Sequence, residues 1–487
     1  SDVYKRQSNN TAVGDRALES NTTGTTNTSL GGVSLNSNTT GDNNTALGYN
    51  SLQANTTGTR NIAIGAESLD ASVGINDNIA IGYQAQTANT GNGATANTGA
   101  SNIAIGSYAL KSLNSTSSGD SIQNVAIGVE AMESATSAYR CVAIGYRALE
   151  LNQTTNTTVA VGWYSLREMT TGANNTGLGH YTLTRTTTGA SNTAVGYAAL
   201  EYNTTGDYNT AVGDQSLDQL TTADNNTAVG YRSLYLNTTG ADNTATGANA
   251  LDANTTGSYN TAFGKHALTA NTTASYNTAF GTTSLYSNTT GAYNTTVGAD
   301  SLKQNTTASY NTAVGYAALG VNTTGSSNTA VGSAALDANT TASNCTAMGV
   351  NALSANTTGG DNTAVGKDAL LVNTTGEENV AIGKQALDAN TDGGRNIAVG
   401  KYSLTENTTG IGNVAVGDQA LVANTTADHN IAIGRNALYA NTTGTGNIAI
   451  GYLALDAVTT GSDNVAIGRE ALTVSTASNN TAIGKDA

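Results

Sequence analysis

Short segments in which small and branched residues alternate recur along the whole chain. Residues 10–14 read Asn-Thr-Ala-Val-Gly and residues 61–65 read Asn-Ile-Ala-Ile-Gly. The second and fourth residues of such a segment are threonine or a larger apolar residue, the third is nearly always alanine and the fifth is glycine. Alternation with a period of two over a few residues is typical of a β-strand. Each segment is therefore predicted to form a short strand.

The segments recur with a fixed 17-residue period. The asparagine that opens each segment stands, for example, at Asn10, Asn27, Asn44, Asn61 and Asn78. We number the repeat from this asparagine: Asn-Thr/Ile/Val-Ala-Val/Ile-Gly-x-x-Ala/Ser-Leu-x-x-Asn-Thr-Thr-Gly/Ala-x-x, with 28 copies from Gly14 to Gly484. A unit of this length is too short for a helical hairpin. The pattern predicts an all-β fold, a parallel β-solenoid of about 28 coils with one 17-residue repeat per coil. A second short strand is predicted at the Ala-Leu dipeptide, followed by an Asn-Thr-Thr-Gly turn.

Two longer steps interrupt the period. The step from Gly82 to Gly106 is 24, and the step from Gly106 to Gly128 is 22. We predict irregular insertions around residues 87–100 and 112–123, within a single continuous repeat array over residues 9–487. Residues 1–8 lie outside the array and are interpreted as a non-repeat leader or a sequence-assembly scar. The chain is expected to be a fragment of a longer one.

Two glycine columns behave differently. Position 5 is glycine in all 28 copies, which predicts a positive φ angle or a backbone contact too close for a Cβ atom. Position 15 becomes alanine in several copies, such as Ala223 and Ala274, so small size is enough there. Both faces of the strand are apolar or small, as in strands covered on both sides. One coil covers only one face, so lateral association of chains is expected. The pattern leaves open which face lies inside.

The recurring Asn-x-Ala-Val/Ile-Gly followed by x-x-Ala/Ser-Leu resembles the YadA-like head repeat of trimeric autotransporter adhesins. Similar repeats occur in phage tail-fibre proteins. The resemblance covers residues 9–487. It implies a left-handed parallel β-roll, three chains around one axis, and an extracellular adhesive shaft or head. The present repeat is longer than the usual head repeat, and its Asn-Thr-Thr loop is unusually regular.

The composition of the chain disfavours several classes of function. Only 11% of the residues are charged, and the net charge of −15 disfavours nucleic acid and anionic membrane surfaces as partners. No apolar run approaches the roughly 20 residues of a membrane helix, so no membrane insertion of this segment is expected. His180, His266 and His429 occupy different repeat positions many coils apart. We therefore expect no catalytic residues, no metal site and no cofactor, and we expect that the protein is not an enzyme.

The Asn-Thr-Thr loops are formal N-glycosylation acceptors. A coil-to-coil asparagine ladder explains the same residues and is the preferred interpretation, because Asn, Thr and Gly also suit a tight turn. Threonine-linked sugars are a further alternative. The candidate acceptors are Asn21, Asn38, Asn55, Asn203, Asn237, Asn254, Asn271, Asn288, Asn305, Asn322, Asn339, Asn356, Asn373, Asn407, Asn424 and Asn441.

Other columns are predicted to be structural. Cys141 and Cys345 both stand at position 1, many coils apart, which excludes a disulfide between them within a solenoid and suggests small buried replacements in an asparagine ladder. Consecutive copies also place tyrosines at position 17 and lysines at position 6. The tyrosines are predicted to stack and the lysines to point outward; these residues are Tyr259, Tyr276, Tyr293, Tyr310, Lys367, Lys384 and Lys401.

The sequence thus favours a non-catalytic extracellular structural fibre or adhesin shaft or head. Its expected location is extracellular, at the cell surface or on a virion fibre. The expected partners are further copies of the chain, as a homotrimer and in higher fibre assemblies, and a host-surface or glycan ligand. The alternatives are an ice-binding or carbohydrate-binding β-solenoid, or a phage tail-fibre segment.

Overall fold

A computed structural model describes residues 9–88, 100–113, 122–474 and 476–487. The chain divides into two units, residues 1–243 and 244–487. The described residues contain β-strands, turns and bends but no helix. Residues 1–8 and most of the predicted insertions, 89–99 and 114–121, lie outside the described residues. The interpretation of residues 9–487 as one continuous array stays a prediction.

Unit 1 is a parallel β-solenoid in which every described strand has three residues. The strands are β1 (Thr11–Val13), β2 (Thr28–Leu30), β3 (Thr45–Leu47), β4 (Ile62–Ile64), β5 (Ile79–Ile81), β6 (Ile103–Ile105), β7 (Val125–Ile127), β8 (Val142–Ile144), β9 (Val159–Val161), β10 (Thr176–Leu178), β11 (Thr193–Val195), β12 (Thr210–Val212) and β13 (Thr227–Val229). Each strand pairs in parallel with the next one along the chain. Ile79 pairs with Ile103 and Ile103 with Val125, so the register survives both longer steps.

Unit 2 repeats this arrangement. Its strands are β14 (Thr244–Thr246), β15 (Thr261–Phe263), β16 (Thr278–Phe280), β17 (Thr295–Val297), β18 (Thr312–Val314), β19 (Thr329–Val331), β20 (Thr346–Met348), β21 (Thr363–Val365), β22 (Val380–Ile382), β23 (Ile397–Val399), β24 (Val414–Val416), β25 (Ile431–Ile433), β26 (Ile448–Ile450), β27 (Val465–Ile467) and β28 (Thr481–Ile483). The pairing is again parallel and in register, as in Thr295 with Thr312. The predicted β-solenoid with a 17-residue coil is confirmed, whereas its left-handed winding stays a prediction from the resemblance.

The core of each unit is built from alanine and leucine. The strand alanine at position 3 and the leucine at position 9, for example Ala46 and Leu52, have no exposed surface. Positions 2 and 4 of the same strands face outward, because successive side chains of a strand point to opposite sides. Leu47 at position 4 is 41% exposed. The structure therefore settles which face is which: the small face closes the coil and the branched face lies outside.

The glycine at position 5 is required for both predicted reasons. Gly298 has a φ angle of +135°, and a Cβ atom there would lie 2.7 Å from the carbonyl carbon of Gly315 in the next coil. At position 15 a Cβ atom on Gly291 would also press against the carbonyl oxygen of Ala308 in the next coil, but Gly291 has no left-handed φ, and the buried alanines at this position, such as Ala308, show that the loop can accommodate a Cβ atom. The left-handed φ angle at position 5 therefore distinguishes the invariant glycine column from the one that tolerates alanine.

The predicted second strand at the Ala-Leu dipeptide is wrong. This segment is a turn in which Arg16 and Leu18 have φ angles of 53° and 54°, outside the β region. Its backbone still bonds from coil to coil, as the amide of Leu18 donates to the carbonyl of Ser34 at 3.1 Å. A leucine in this conformation costs about 1–2 kcal/mol. Burial of its side chain contributes about 1.5–3 kcal/mol and offsets that strain.

Candidate functional site

The asparagines at position 1 form one buried ladder. The backbone amide of Asn27 donates to Oδ1 of Asn10 at 2.7 Å, and Nδ2 of Asn27 donates to the carbonyl of Gly41 at 2.8 Å. The same pattern recurs from coil to coil, for example between Asn277 and Asn294. Because a buried polar group without a partner is costly, this ladder explains why position 1 is so uniform.

The candidate glycosylation asparagines at position 12 form a second ladder. Of the sixteen, Asn21 is partly buried and the other fifteen have no exposed surface. Nδ2 of Asn305 donates to Oδ1 of Asn288 at 2.8 Å and to the carbonyl of Ala308 at 2.9 Å. The atom that would carry an N-linked sugar thus lies inside and already donates two hydrogen bonds. The preferred ladder interpretation matches this geometry, and glycosylation itself stays a prediction.

The two loop threonines point in different directions. At position 13, Oγ1 of Thr272 donates to the carbonyl of Thr289 in the next coil at 3.2 Å. At position 14, Thr273 is exposed, as are its neighbours Thr256 and Thr290. Of the two loop columns, position 14 therefore presents its threonines more openly to a modifying enzyme.

The two cysteines replace members of the position 1 ladder, as predicted. Both are buried free thiols. Sγ of Cys345 approaches the carbonyl of Gly359 at 3.4 Å, the same kind of carbonyl that the asparagine amides reach in other coils. Burial raises the pKa of the Cys345 thiol to about 11 and also raises the pKa of Cys141. Neither cysteine has the lowered pKa of a reactive nucleophile.

One acidic cluster was not singled out from the sequence. Glu130, Glu133 and Glu150 bring one carboxylate oxygen each within 4.8 Å of one another, the closest approach to a metal-ligand set among the described residues. Arg147 already pairs with Glu130, and Lys111 lies 3.5 Å from Glu133. None of the three histidines belongs to this cluster.

The predicted tyrosine ladder is present in unit 2. Tyr259, Tyr276, Tyr293 and Tyr310 stack with ring centroids 4.9, 5.0 and 5.1 Å apart and interplanar angles of 6°, 3° and 2°. Each inner ring is covered on both faces by its neighbours. We call these four residues the tyrosine ladder. The three lysines at position 6, including Lys384, are exposed as expected.

Unit 1 holds a second aromatic group that sequence reasoning missed. Its rings belong to positions 6 and 7 of consecutive coils and meet at angles between 41° and 82°. The signal was available, since Tyr146 and Trp163 are one repeat apart, as are Tyr164 and Tyr181. We call this group the aromatic platform; it consists of Tyr146, Trp163, Tyr164, Tyr181 and Tyr197.

Neither a protein-family model nor a curated protein matches the chain. Across the described residues, no helix has both the length and the apolar character that crossing a membrane would require.

Proposed function

We propose that the chain is a non-catalytic structural shaft of an extracellular or virion-borne fibre, that it works as a homotrimer, and that it presents an adhesive surface. The observation that carries the proposal is the outward strand face. In coil after coil, position 4 leaves a large apolar side chain partly exposed, as at Leu30, Phe263 and Ile433. Extended apolar surface of this kind marks an interaction site, and parallel sheets are ordinarily covered on both faces.

The interior supports a structural role. Its asparagine ladders and alanine–leucine core use polar and apolar groups for coil-to-coil contacts, and the two buried thiols have raised pKa values. The resemblance to the adhesin head repeat supports a trimer with the strand faces turned toward one another. An extracellular or virion location follows from the same resemblance.

The test is the mass in solution, measured by sedimentation equilibrium. We expect three chains of 48.9 kDa each per particle. Substitution of lysine for Val297, Val314 and Val331 on the outward strand face should release monomers, because buried like charges repel. The control places the same three lysines in the exposed loop column, at Thr290, Thr307 and Thr324, and should leave the mass unchanged. A stable wild-type monomer would refute the proposal.

Ice binding is a second candidate, favoured by the outward threonines at position 2. Thr295, Thr312 and Thr329 stand in register on adjacent strands. The neighbouring column at position 4 varies in size between Phe280 and Val297, which interrupts a flat array. A structural shaft should give no thermal hysteresis, whereas a measurable hysteresis would favour this second function.

A further inference from the structure

The aromatic platform is held by the most regular part of the fold, its backbone ladder. The amide of Tyr164 donates to the carbonyl of Tyr146 at 3.1 Å, and the amide of Tyr181 donates to the carbonyl of Trp163 at 3.0 Å. Each coil advances the next pair of side chains by about 4.8 Å. The backbone of these residues is therefore held in place along the coils, so no backbone ordering entropy would be lost on binding.

The rings of the platform meet at an angle and do not stack face to face. Trp163 meets Tyr146 at 55° and Tyr164 at 82°, with centroids 5.0 and 5.7 Å apart. Trp163 nevertheless keeps 46% of its surface exposed, and Tyr197 keeps 52%. Trp163 is the only tryptophan of the protein. The platform thus offers aromatic surface to solvent at the site of the largest ring in the chain.

Charged side chains border the platform as neutralised pairs. Arg147 bonds Glu130, and Arg167 bonds Glu168 at 2.7 Å, while Glu150 lies 3.8 Å from both arginines. The guanidinium groups also lie over the rings of Tyr146 and Tyr164, at 5.2 and 5.1 Å. The border therefore presents fixed hydrogen-bond donors beside fixed acceptors, without an excess of positive charge.

From this geometry we propose that the aromatic platform is a binding site for a neutral oligosaccharide, with a pyranose ring stacked on Trp163. The C–H face of a pyranose packs on an aromatic face, and each of its hydroxyl groups both donates and accepts hydrogen bonds. A border of paired guanidinium and carboxylate groups matches such hydroxyls. The proposal deepens the adhesive role proposed above and rests on it, since it names the ligand class of the shaft.

The observations favour a neutral glycan over other ligands. An anionic polymer would meet Glu130 and Glu150 and find both arginines already paired. A protein partner would be expected to use a broad apolar surface, and that surface lies on the outward strand face. The tyrosine ladder cannot bind in the same way, because its inner ring faces are already covered by neighbouring rings.

The single tryptophan makes the site directly observable. The full chain is titrated with soluble oligomers of β-1,4-linked glucose, xylose and N-acetylglucosamine and with α-mannan, while tryptophan emission is recorded. We expect a saturable change in emission with at least one of these probes. No change with any probe, together with no heat of binding by calorimetry, would overturn the proposal.

Variants are compared by calorimetry with the probe that binds. Trp163→Ala should weaken affinity about tenfold or more, the size of effect seen when a stacking ring is removed, and Tyr197→Ala should weaken it less. The matched control, Tyr276→Ala in the tyrosine ladder, should bind like wild type. Equal binding by Trp163→Ala would overturn the site. Sedimentation of Trp163→Ala separates the two proposals: an unchanged mass is expected, and a lost trimer would assign the platform to a protein interface and overturn glycan binding there.

Discussion

The tyrosine ladder of unit 2 and the aromatic platform of unit 1 are built on the same repeated coil, yet their rings meet in different geometries. In the ladder, four identical residues at one repeat position stack within 6° of parallel. In the platform, different residues at two positions meet at 41° or more. Identical neighbours stack face to face, whereas unlike neighbours meet at an angle. Strict repetition therefore gives a column of stacked rings, and departures from repetition give a cluster of tilted rings.

The position 12 column of asparagines is also regular in unit 2 and interrupted in unit 1. In unit 2, position 12 is asparagine in every coil from Asn254 to Asn441. In unit 1 the column is broken, and Asn152 stands between Ala135 and Met169 with its Nδ2 atom buried and without a partner. The regularity of this column thus differs from one part of the chain to another. Substitutions in the two units can test what the column contributes to the stability of each coil.

The largest effect is expected from the strand glycine of the regular region. Gly298→Ala forces a Cβ atom against the next coil at a φ angle of +135°, and should destabilise the surrounding coils by about 3–4 kcal/mol. The control, Gly291→Ala at position 15, should cost only about 1–2 kcal/mol, because the Ala308 carbonyl must shift but the φ angle is not left-handed and alanine already occupies the equivalent sites Ala274 and Ala308. Hydrogen exchange of the coil amides measures both. Equal effects would show that the left-handed φ angle at Gly298 adds nothing to the cost.

The asparagine columns come next. Asn305→Leu removes two donated bonds and leaves Nδ2 of Asn322 without its coil-to-coil acceptor, so we expect a loss of about 2–3 kcal/mol. Asn152→Leu should cost about 1 kcal/mol or less, because it sacrifices the bond from the Thr155 amide but removes an unpaired buried amide. Local hydrogen exchange is again the measurement. A larger loss at Asn152 would contradict the contrast between the two columns.

The tyrosine ladder should show a graded effect. Tyr276→Ala removes two stacked contacts and should cost about 1–2 kcal/mol, while Tyr310→Ala at the end of the ladder removes one and should cost about half as much. Urea-dependent hydrogen exchange of unit 2 measures the difference. If neither substitution changes the stability, the stacked rings do not stabilise the coils. In the platform, by contrast, ring removal should appear mainly as lost ligand affinity.

The smallest effect is a gain. Cys345→Asn should restore the position 1 ladder, because asparagine supplies both an amide for the Gly359 carbonyl and an acceptor for the next coil, as Asn362 does for the amide of Asn379. We expect a stabilisation of about 1 kcal/mol, seen as slower exchange around this coil. A destabilised variant would show that the cysteine is preferred there for its size.

Much of the fold could be predicted from the repeat itself. The fixed period predicted the coils, and the invariance of Gly298 and its equivalents predicted a special backbone. The turn at Leu18 was mistaken for a strand, because its positive φ angle cannot be inferred from a residue that ordinarily avoids it. The sequence did not decide which strand face lies inside the coil, because alanine and valine can both be buried.

The candidate sites were predictable to different degrees. The tyrosine ladder was found because identical residues recur in consecutive copies. The aromatic platform escaped notice because its residues differ from coil to coil and alternate between positions 6 and 7. Only the folded coils bring Trp163 against Tyr146 and Tyr164.

The central claim is that the small strand face closes each coil and the branched face closes an assembly of chains. Cryo-electron microscopy of the native particle tests it most directly. The account predicts threefold symmetry, with residues such as Leu47 and Ile433 buried between chains and Trp163 on the outer surface. A particle one chain thick, with the branched strand face in solvent, would contradict it.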